Sequence, residues 1–285
     1  MIKFLKRLIL KIFEILGYGI IGKRELVIHN SFDAIHKFIQ LEVLKKKESD
    51  LLIFDVGAND GGSIIRFKKI FPNSIVHSFE PNPKLVDFIK KEFNHDDVII
   101  NQIAFSKETA KRKFYYYESH RISSFYPMVE NSKYKIQRFK NSEETNVSYV
   151  ETDTIDNYCE SNQIDKINIL KIDTQGSEAE VLQGSTKLLK NQSVDIIELE
   201  YIIGIAHKNA NSLFDIELSL KDYGYKLIAI ENSGNILSFS NYQTNLIYAK
   251  KEIFEKIKNL HEKNLDILNV TKAVKTKWKK KKKKF

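Results

Sequence analysis

Short apolar runs that alternate with helix-spaced segments constrain the middle of this chain more than any other feature. Residues 51–56 are apolar apart from Asp55, with charge before them and Gly57 after, and read as a buried strand of a parallel sheet. Helical spacing follows over residues 63–71 and stops at Pro72. Residues 75–79 give a second strand, Pro83 opens a helix through Phe93, since proline suits a first turn, and residues 98–100 give a third strand. The rhythm breaks over residues 112–150. There Lys113-Phe-Tyr-Tyr-Tyr117 is β-prone and a polar stretch with Ser123, Ser124 and Asn131 follows, which predicts an inserted hairpin arm and irregular loop. It returns with a strand over 167–172, a helix over 178–190 and a strand over 194–197. A helix capped by Ser212 runs to Tyr223, and strands over 226–230, 236–239 and 246–249 close the domain. This alternation predicts a doubly wound, Rossmann-like α/β sheet with flanking helices, its ligands at the carboxyl ends of the strands near the switch point.

The two ends read as attachments to a domain spanning residues 25–250. Within residues 1–24, Phe4, Leu5, Leu8, Ile9, Ile12, Phe13 and Leu16 recur on one helical face, with Lys3, Arg7, Lys11 and Glu14 opposite. Charges interrupt this amphipathic helix well short of the roughly 20 apolar residues a membrane span needs. It either docks on the protein's own core or lies in a membrane surface. Residues 251–270 predict a polar surface helix, and a lysine tail follows. Nine lysines lie beyond Thr271; without them, basic and acidic residues balance at 37 each, so the net charge of +9 belongs to the tail. A neutral body argues against a nucleic-acid reader, which spreads its lysines over a folded face. The tail and residues 1–16 are instead candidates for peripheral contact with an anionic membrane. Cys159 is the only cysteine, which excludes an internal disulfide and a cysteine-rich zinc site and fits a cytoplasmic protein.

Candidate chemistry clusters at the predicted strand ends. Asp55-Val-Gly57-Ala-Asn59-Asp-Gly61-Gly62 follows the first strand, where glycines let the backbone turn and approach a ligand. Gly57 and Gly62 fit the outer glycines of a dinucleotide fingerprint, but Asn59 holds the middle position, which counts against an NAD-type oxidoreductase. Glu80 directly follows the second strand, where a carboxylate can accept both ribose hydroxyls of an adenosine. Asn101 and Ala104, at the end of the third strand, fall beside the adenine in that arrangement. The segment Leu170-Lys-Ile-Asp173-Thr-Gln-Gly176-Ser-Glu178 ends a fourth strand in an acid, turns at glycine and opens a helix on an acid that suits the helix dipole.

Taken together these stretches resemble the FkbM-type family of S-adenosylmethionine-dependent methyltransferases. The resemblance rests on Phe54-Asp-Val-Gly-Ala-Asn59, Phe79-Glu-Pro-Asn82, Thr154-Ile-Asp156, residues 170–178, Val181-Leu-Gln-Gly184 and Ile197-Glu198, and covers roughly residues 50–250. Many relatives carry Glu where this chain has Gln175. The resemblance implies a class I methyltransferase fold, S-adenosyl-L-methionine as cofactor and O-methylation of a hydroxyl on a sugar, glycan or natural product. By position it implies that Asp55, Gly57, Asn59 and Gly61 line the methionine and ribose part of the cofactor and that Glu80 holds the ribose.

An alcohol is a poor nucleophile at neutral pH, so a general base or a metal must activate it. Asp173 and Glu198 end neighbouring strands in the predicted topology and form the candidate base or Mg²⁺ site, carboxylates being the expected Mg²⁺ ligands. Glu200 and His207 follow, on what the sequence reads as the next loop, and His207 is a further catalytic candidate. His120, Arg121, Ser123 and Ser124 lie in the inserted loop, where contacts to the acceptor are expected.

Overall fold

A computed structural model describes residues 18–21, 25–28, 32–132, 135–136, 139, 142–203, 206–231 and 243–260. The amphipathic helix expected over residues 1–16, the strand expected over 236–239 and the lysine tail lie outside the described residues. The chain divides into two units, Lys46–Lys251 and a second made of Met1–Lys45 with Glu252–Phe285. In the second, Tyr18–Ile21 pairs antiparallel with Glu25–Ile28, and a helix over Phe32–Lys37 runs on as a π-helical turn over Phe38–Val43. Residues 25–45 thus group outside the unit that carries the sheet. No helix among the described residues is long and apolar enough to cross a membrane.

The Lys46–Lys251 unit is the expected doubly wound fold. Its chain order is β1 (Leu52–Val56), α1 (Gly62–Ile70), β2 (Ile75–Phe79), α2 (Pro83–Glu92) and β3 (Val98–Asn101). Next come β4 (Ala104–Phe105), β5 (Ala110–Tyr117), β6 (Glu144–Asp153), α3 (Ile155–Ser161) and β7 (Ile167–Ile172). Then follow α4 (Glu178–Gln183), α5 (Thr186–Lys190), β8 (Val194–Ile202), α6 (Leu213–Lys221), β9 (Lys226–Ile230) and β10 (Gln243–Ala249). Seven strands form one sheet in the order β9-β10-β8-β7-β1-β2-β3, in which β10 alone runs antiparallel to its neighbours. The chain winds outward from β1 through β2 to β3, then returns to β7 on the other side of β1. That places the topological switch point between β1 and β7.

Both faces of the sheet are covered, so its central strands are mostly apolar: β7 is buried along its whole length, Asn168 and Lys171 included. Phe54, Leu170, Ile197, Val181 and Leu189 share one core cluster. Phe79 packs against Phe54, Phe105 and Tyr158 at ring separations of 4.5 to 5.0 Å. Each fully buried side chain of this size contributes about 1.5–3 kcal/mol. The inserted hairpin arm is real but larger than the sequence implied. β5 pairs with β6 along its length, and β4 joins on the far edge of β6. A network ties this small sheet to the main unit: Glu180 accepts from Ser106 Oγ at 2.8 Å and also takes Arg112 and the Tyr126 hydroxyl.

Two boundaries differ from expectation for identifiable reasons. The single helix predicted over residues 178–190 breaks between α4 and α5 at Gly184, where a Cβ would stand 2.1 Å from the Ser106 carbonyl oxygen. The strand predicted over residues 194–197 extends to Ile202, because β10 supplies partners as far as Gln243. Glu198 and Glu200 therefore sit within a strand. Neither lies at a strand end or on a loop.

Candidate functional site

Beyond the carboxyl ends of β1, β2 and β7 lies a cavity of about 290 Å³. One wall comes from the loop after β1. Gly57 and Ala58 both donate their backbone N–H to the Phe79 carbonyl at 3.0 Å, and Asp173 donates its own to the Val56 carbonyl at 2.9 Å. The first two tie the β1 loop to the end of β2, and the third brings the β1 and β7 loops into backbone contact. Gly57 sits at φ +83°, and a Cβ on it would stand 2.0 Å from the Asp173 carbonyl oxygen. Asn59 also takes the left-handed conformation, at φ +53°, uncommon outside glycine, and its side-chain oxygen is bound by His120 Nδ1 of the inserted segment.

Glu80 forms the floor beside this loop. It is only 6% exposed, and its two carboxyl oxygens accept the backbone N–H groups of Asn59 and Asn82, each at 2.9 Å. Each oxygen keeps a second lone pair for a ligand donor. Burial pushes the Glu80 carboxyl up to about 7; the two backbone donors pull against that rise.

The opposite wall carries Lys171, Asp173, Gln175 and Glu200. The Asp173-Thr-Gln-Gly-Ser-Glu178 segment owes its shape to Glu178. That carboxylate turns back to accept the N–H of Thr174 at 3.0 Å, the N–H of Gly176 at 3.0 Å and the Thr174 hydroxyl at 3.1 Å. Ser124 of the insertion donates to the Gln175 carbonyl at 2.8 Å. So held, Gln175 adopts φ +57° and its Nε2 donates to Asp173 Oδ1 at 2.9 Å and to Glu200 Oε2 at 2.8 Å. Burial, then the neighbouring Asp173 carboxylate, push the Glu200 carboxyl well above the usual carboxylate range. Beneath this wall Lys171 Nζ lies 3.2 Å from Asp55 Oδ1 and 3.5 Å from Asp173 Oδ2. Burial alone would lower the lysine's pKa. The Asp55, Asp173 and Glu198 carboxylates outweigh it and hold Lys171 charged.

Of the residues singled out from the sequence, Gly57, Asn59, Gly62, Glu80, Ala104, Asp173, Gln175 and Glu200 line the cavity, as do His120, Arg121 and Ser123. The others sit elsewhere. Asp55 is fully buried behind Lys171, its Oδ1 3.2 Å from the lysine Nζ. Gly61, at φ +82°, backs onto the Phe93 ring. Asn101 turns into the structure, donating to the Ser78 and Ile99 carbonyls at 3.3 Å and accepting from the Tyr158 hydroxyl at 3.2 Å. Glu198 is the clearest departure: Arg66 of α1 grips both its oxygens, at 2.8 and 2.7 Å, so its carboxylate is committed to an ion pair and does not face Asp173 as a partner. His207 is buried, donating Nε2 to the Ile122 carbonyl at 3.1 Å, and burial lowers its pKa to about 4, so it stays neutral away from the cavity.

These positions do not fit the proposed Mg²⁺ site. Among the described residues no three His, Cys, Asp or Glu side chains converge as a metal group. With Glu198 taken by Arg66 and Asp173 by Gln175 and Lys171, the donors are already spent on protein partners. Sequence reasoning missed Lys171, although a charged residue inside the mostly apolar Ile-Asn-Ile-Leu-Lys-Ile strand was the available signal. It also missed the aromatic wall of Phe114, Phe125 and Phe139, which only the folding of the insertion over the site brings there.

Residues 55–227 match the methyltransferase FkbM domain family. The chain is 27% identical over 173 residues to the hexuronic acid methyltransferase AglP of Haloferax volcanii, a match covering 60% of this chain and 64% of that protein. It is 24% identical over 152 residues to the 2-O-methyltransferase NoeI of Sinorhizobium fredii, covering 50% of this chain and 60% of that one. The chain thus spans less than two thirds of the length of either relative. Among solved structures, the magnesium protoporphyrin IX methyltransferase ChlM of Synechocystis PCC 6803 aligns at TM-score 0.41 and 11% identity, over 86% of this chain and 96% of that one. The family match, which covers more than half of the sequence and includes the β1 loop, Glu80 and the Asp173–Glu178 segment, carries the assignment: the chain belongs to the methyltransferase FkbM domain family.

Proposed function

We propose that this protein is an S-adenosylmethionine-dependent O-methyltransferase acting on a hydroxyl of a sugar, glycan or related natural product. One observation carries the reading: the buried Glu80 carboxylate and the left-handed Gly57–Asn59 loop form one wall of a cavity whose other wall carries Asp173 and Glu200, bridged by Gln175. The sugar acceptor is supported by the hexuronic acid and 2-O-methyl activities in the names of the two relatives. Glu80 fits the ribose, having a free lone pair on each oxygen and a floor position beside the loop. Gly57, Ala58 and Asn59 offer the close backbone approach a cofactor needs, with Ala104 and Ile103 against its flat base.

When bound, the cofactor supplies an electrophilic methyl group on a sulfonium. The chain's own contribution is alignment, exclusion of water and removal of the hydroxyl proton. Phe114, Phe125 and Phe139 give the cavity its apolar side, and His120 ties the insertion to Asn59, so acceptor and cofactor pockets share a wall. Asp173 stands on that wall beside Lys171 and Gln175. An anionic-membrane role for residues 1–16 is a separate proposal: deleting them should abolish sedimentation with anionic vesicles, and unchanged sedimentation would remove it.

Calorimetric titration with S-adenosylhomocysteine, beside NAD⁺, tests the reading. S-adenosylhomocysteine should bind and NAD⁺ should not. Glu80→Ala should weaken binding roughly 10- to 150-fold, the worth of a hydrogen bond to a charged carboxylate. Because a proton on Glu80 removes an acceptor site, affinity should rise with pH and level off above about 7, where the free carboxyl has ionised. A pH-independent affinity, or tighter binding of NAD⁺, would reject the clamp or the reading as a whole.

A further inference from the structure

Two buried polar atoms on the cavity wall lack hydrogen-bond partners: the amide oxygen of Gln175 and the hydroxyl of Ser177. Gln175 is 8% exposed and Ser177 is fully buried. A buried polar atom without a partner is costly, and native proteins keep few of them outside functional sites. The Gln175 side chain bonds Asp173 and Glu200, Ser177 lines the same cavity two residues on, and the segment's left-handed Gln175 is held in place by Glu178 and Ser124. The wall therefore presents two carboxyl groups joined through one amide nitrogen, plus an open acceptor and an open hydroxyl. That set suits an alcohol that gives up one proton while a neighbouring hydroxyl of the same molecule is held.

We infer that Asp173 and Glu200, bridged by Gln175, act as a single proton-accepting pair on the acceptor hydroxyl, with Glu200 a catalytic residue and Gln175 Oε1 and Ser177 Oγ holding an adjacent hydroxyl. The inference rests on the methyl-transfer reading and names the acceptor subsite within it. The hydroxyl proton passes to the pair as the acceptor oxygen forms its bond to the methyl carbon. The carbon–sulfur electron pair returns to sulfur, which ends neutral, and the pair then releases its extra proton to solvent. Lys171, Arg121 and His120 are the cationic or basic groups that face the pair or its cavity; Asp60 and Glu80 are the further acids lining it, Glu178 lies near Asp173, and Asp55 and Glu198 lie near Lys171. Lys171 Nζ lies 3.5 Å from Asp173 Oδ2, while burial and the neighbouring Asp173 raise the Glu200 carboxyl, so Glu200 takes up the shared proton. Glu200→Gln keeps the size and the neutral state of that side chain.

The test uses the full chain, with methyl glucuronide and methyl glucoside as hydroxyl probes and release of S-adenosylhomocysteine as readout. At saturating cofactor, kcat should climb through the alkaline range as the shared proton leaves. Glu200→Gln should lower kcat by roughly 10²- to 10⁴-fold, the usual contribution of a general base, and should flatten that climb. Its affinity for S-adenosylhomocysteine should stay at the wild-type level. Asp173→Asn should cost a similar factor and the double variant no more than either, because the two act as a unit. Independently of turnover, the infrared difference between ligand-free wild type and Glu200→Gln at neutral pH should contain a carboxylic-acid band, because the Glu80 contribution is common to both and cancels. A Glu200→Gln protein with wild-type kcat and pH profile, a missing band, or a wild type that binds S-adenosylhomocysteine yet methylates neither probe at any pH would overturn the inference. Failure of the wild type to bind S-adenosylhomocysteine would instead remove the methyl-transfer reading on which it rests.

Discussion

Lys171→Met is expected to destabilise the protein by about 3–5 kcal/mol, the cost of leaving a buried charge without its partner. Lys171 is the cation between Asp55, which is fully buried, and Asp173 on the cavity wall. Methionine fills much the same volume, so packing loss is a minor part of the change. Against a typical stability of about 5–15 kcal/mol this is a large fraction of the total. Urea unfolding of variant and wild type measures it directly, provided the slope of the transition is unchanged. A loss under about 1 kcal/mol would mean that Asp55 finds another partner and that Lys171 is not the keystone of the charged row. The Glu198–Arg66 pair, which belongs to the same row, should remain in place.

The second large effect is expected at Gly57. Gly57→Ala places a methyl group 2.0 Å from the Asp173 carbonyl oxygen, which is backbone and cannot swing aside. The left-handed conformation itself costs a residue with a Cβ roughly 1–2 kcal/mol. Overpacking adds about 1–3 kcal/mol unless the β1 and β7 loops separate. Separation moves both walls of the cavity at once. A misplacement of about 1 Å in a positioned site can cost roughly 100-fold, so S-adenosylhomocysteine affinity should fall by about that factor even in the fraction that stays folded. Calorimetry on the purified variant at a temperature well below its melting transition checks this. Affinity within about threefold of wild type, a change of under 1 kcal/mol, would show that the two loops can part without disturbing the ligand wall.

These two predictions also separate what was legible in the linear chain from what was not. The alternation of apolar runs with helical spacing fixed the sheet class, since both faces of a parallel sheet must be covered and the strands then read as continuous apolar segments. The placement of the β1 loop and Glu80 at the cavity was legible because it depends on local geometry: a glycine after a strand, an acid at the end of the next. Asp173 was legible for the same reason. The lysine tail could be set apart from the fold by charge balance alone.

The tertiary structure decided the partnerships. Glu198 and Glu200 are two residues apart on one strand, and nothing local distinguishes them; Arg66 from α1 claims the first, while Gln175 from the β7 loop claims the second. Pairing with β10 carried β8 past its apolar run and turned an expected loop into strand. His207, whose near-neutral ordinary pKa suggested catalysis, is buried against the Ile122 carbonyl by the insertion. Sequence patterns report periodicity and local backbone demands, which act over a few residues. Which charged group meets which depends on contacts between segments separated by 25 to 132 positions, and those exist only once the sheet has assembled.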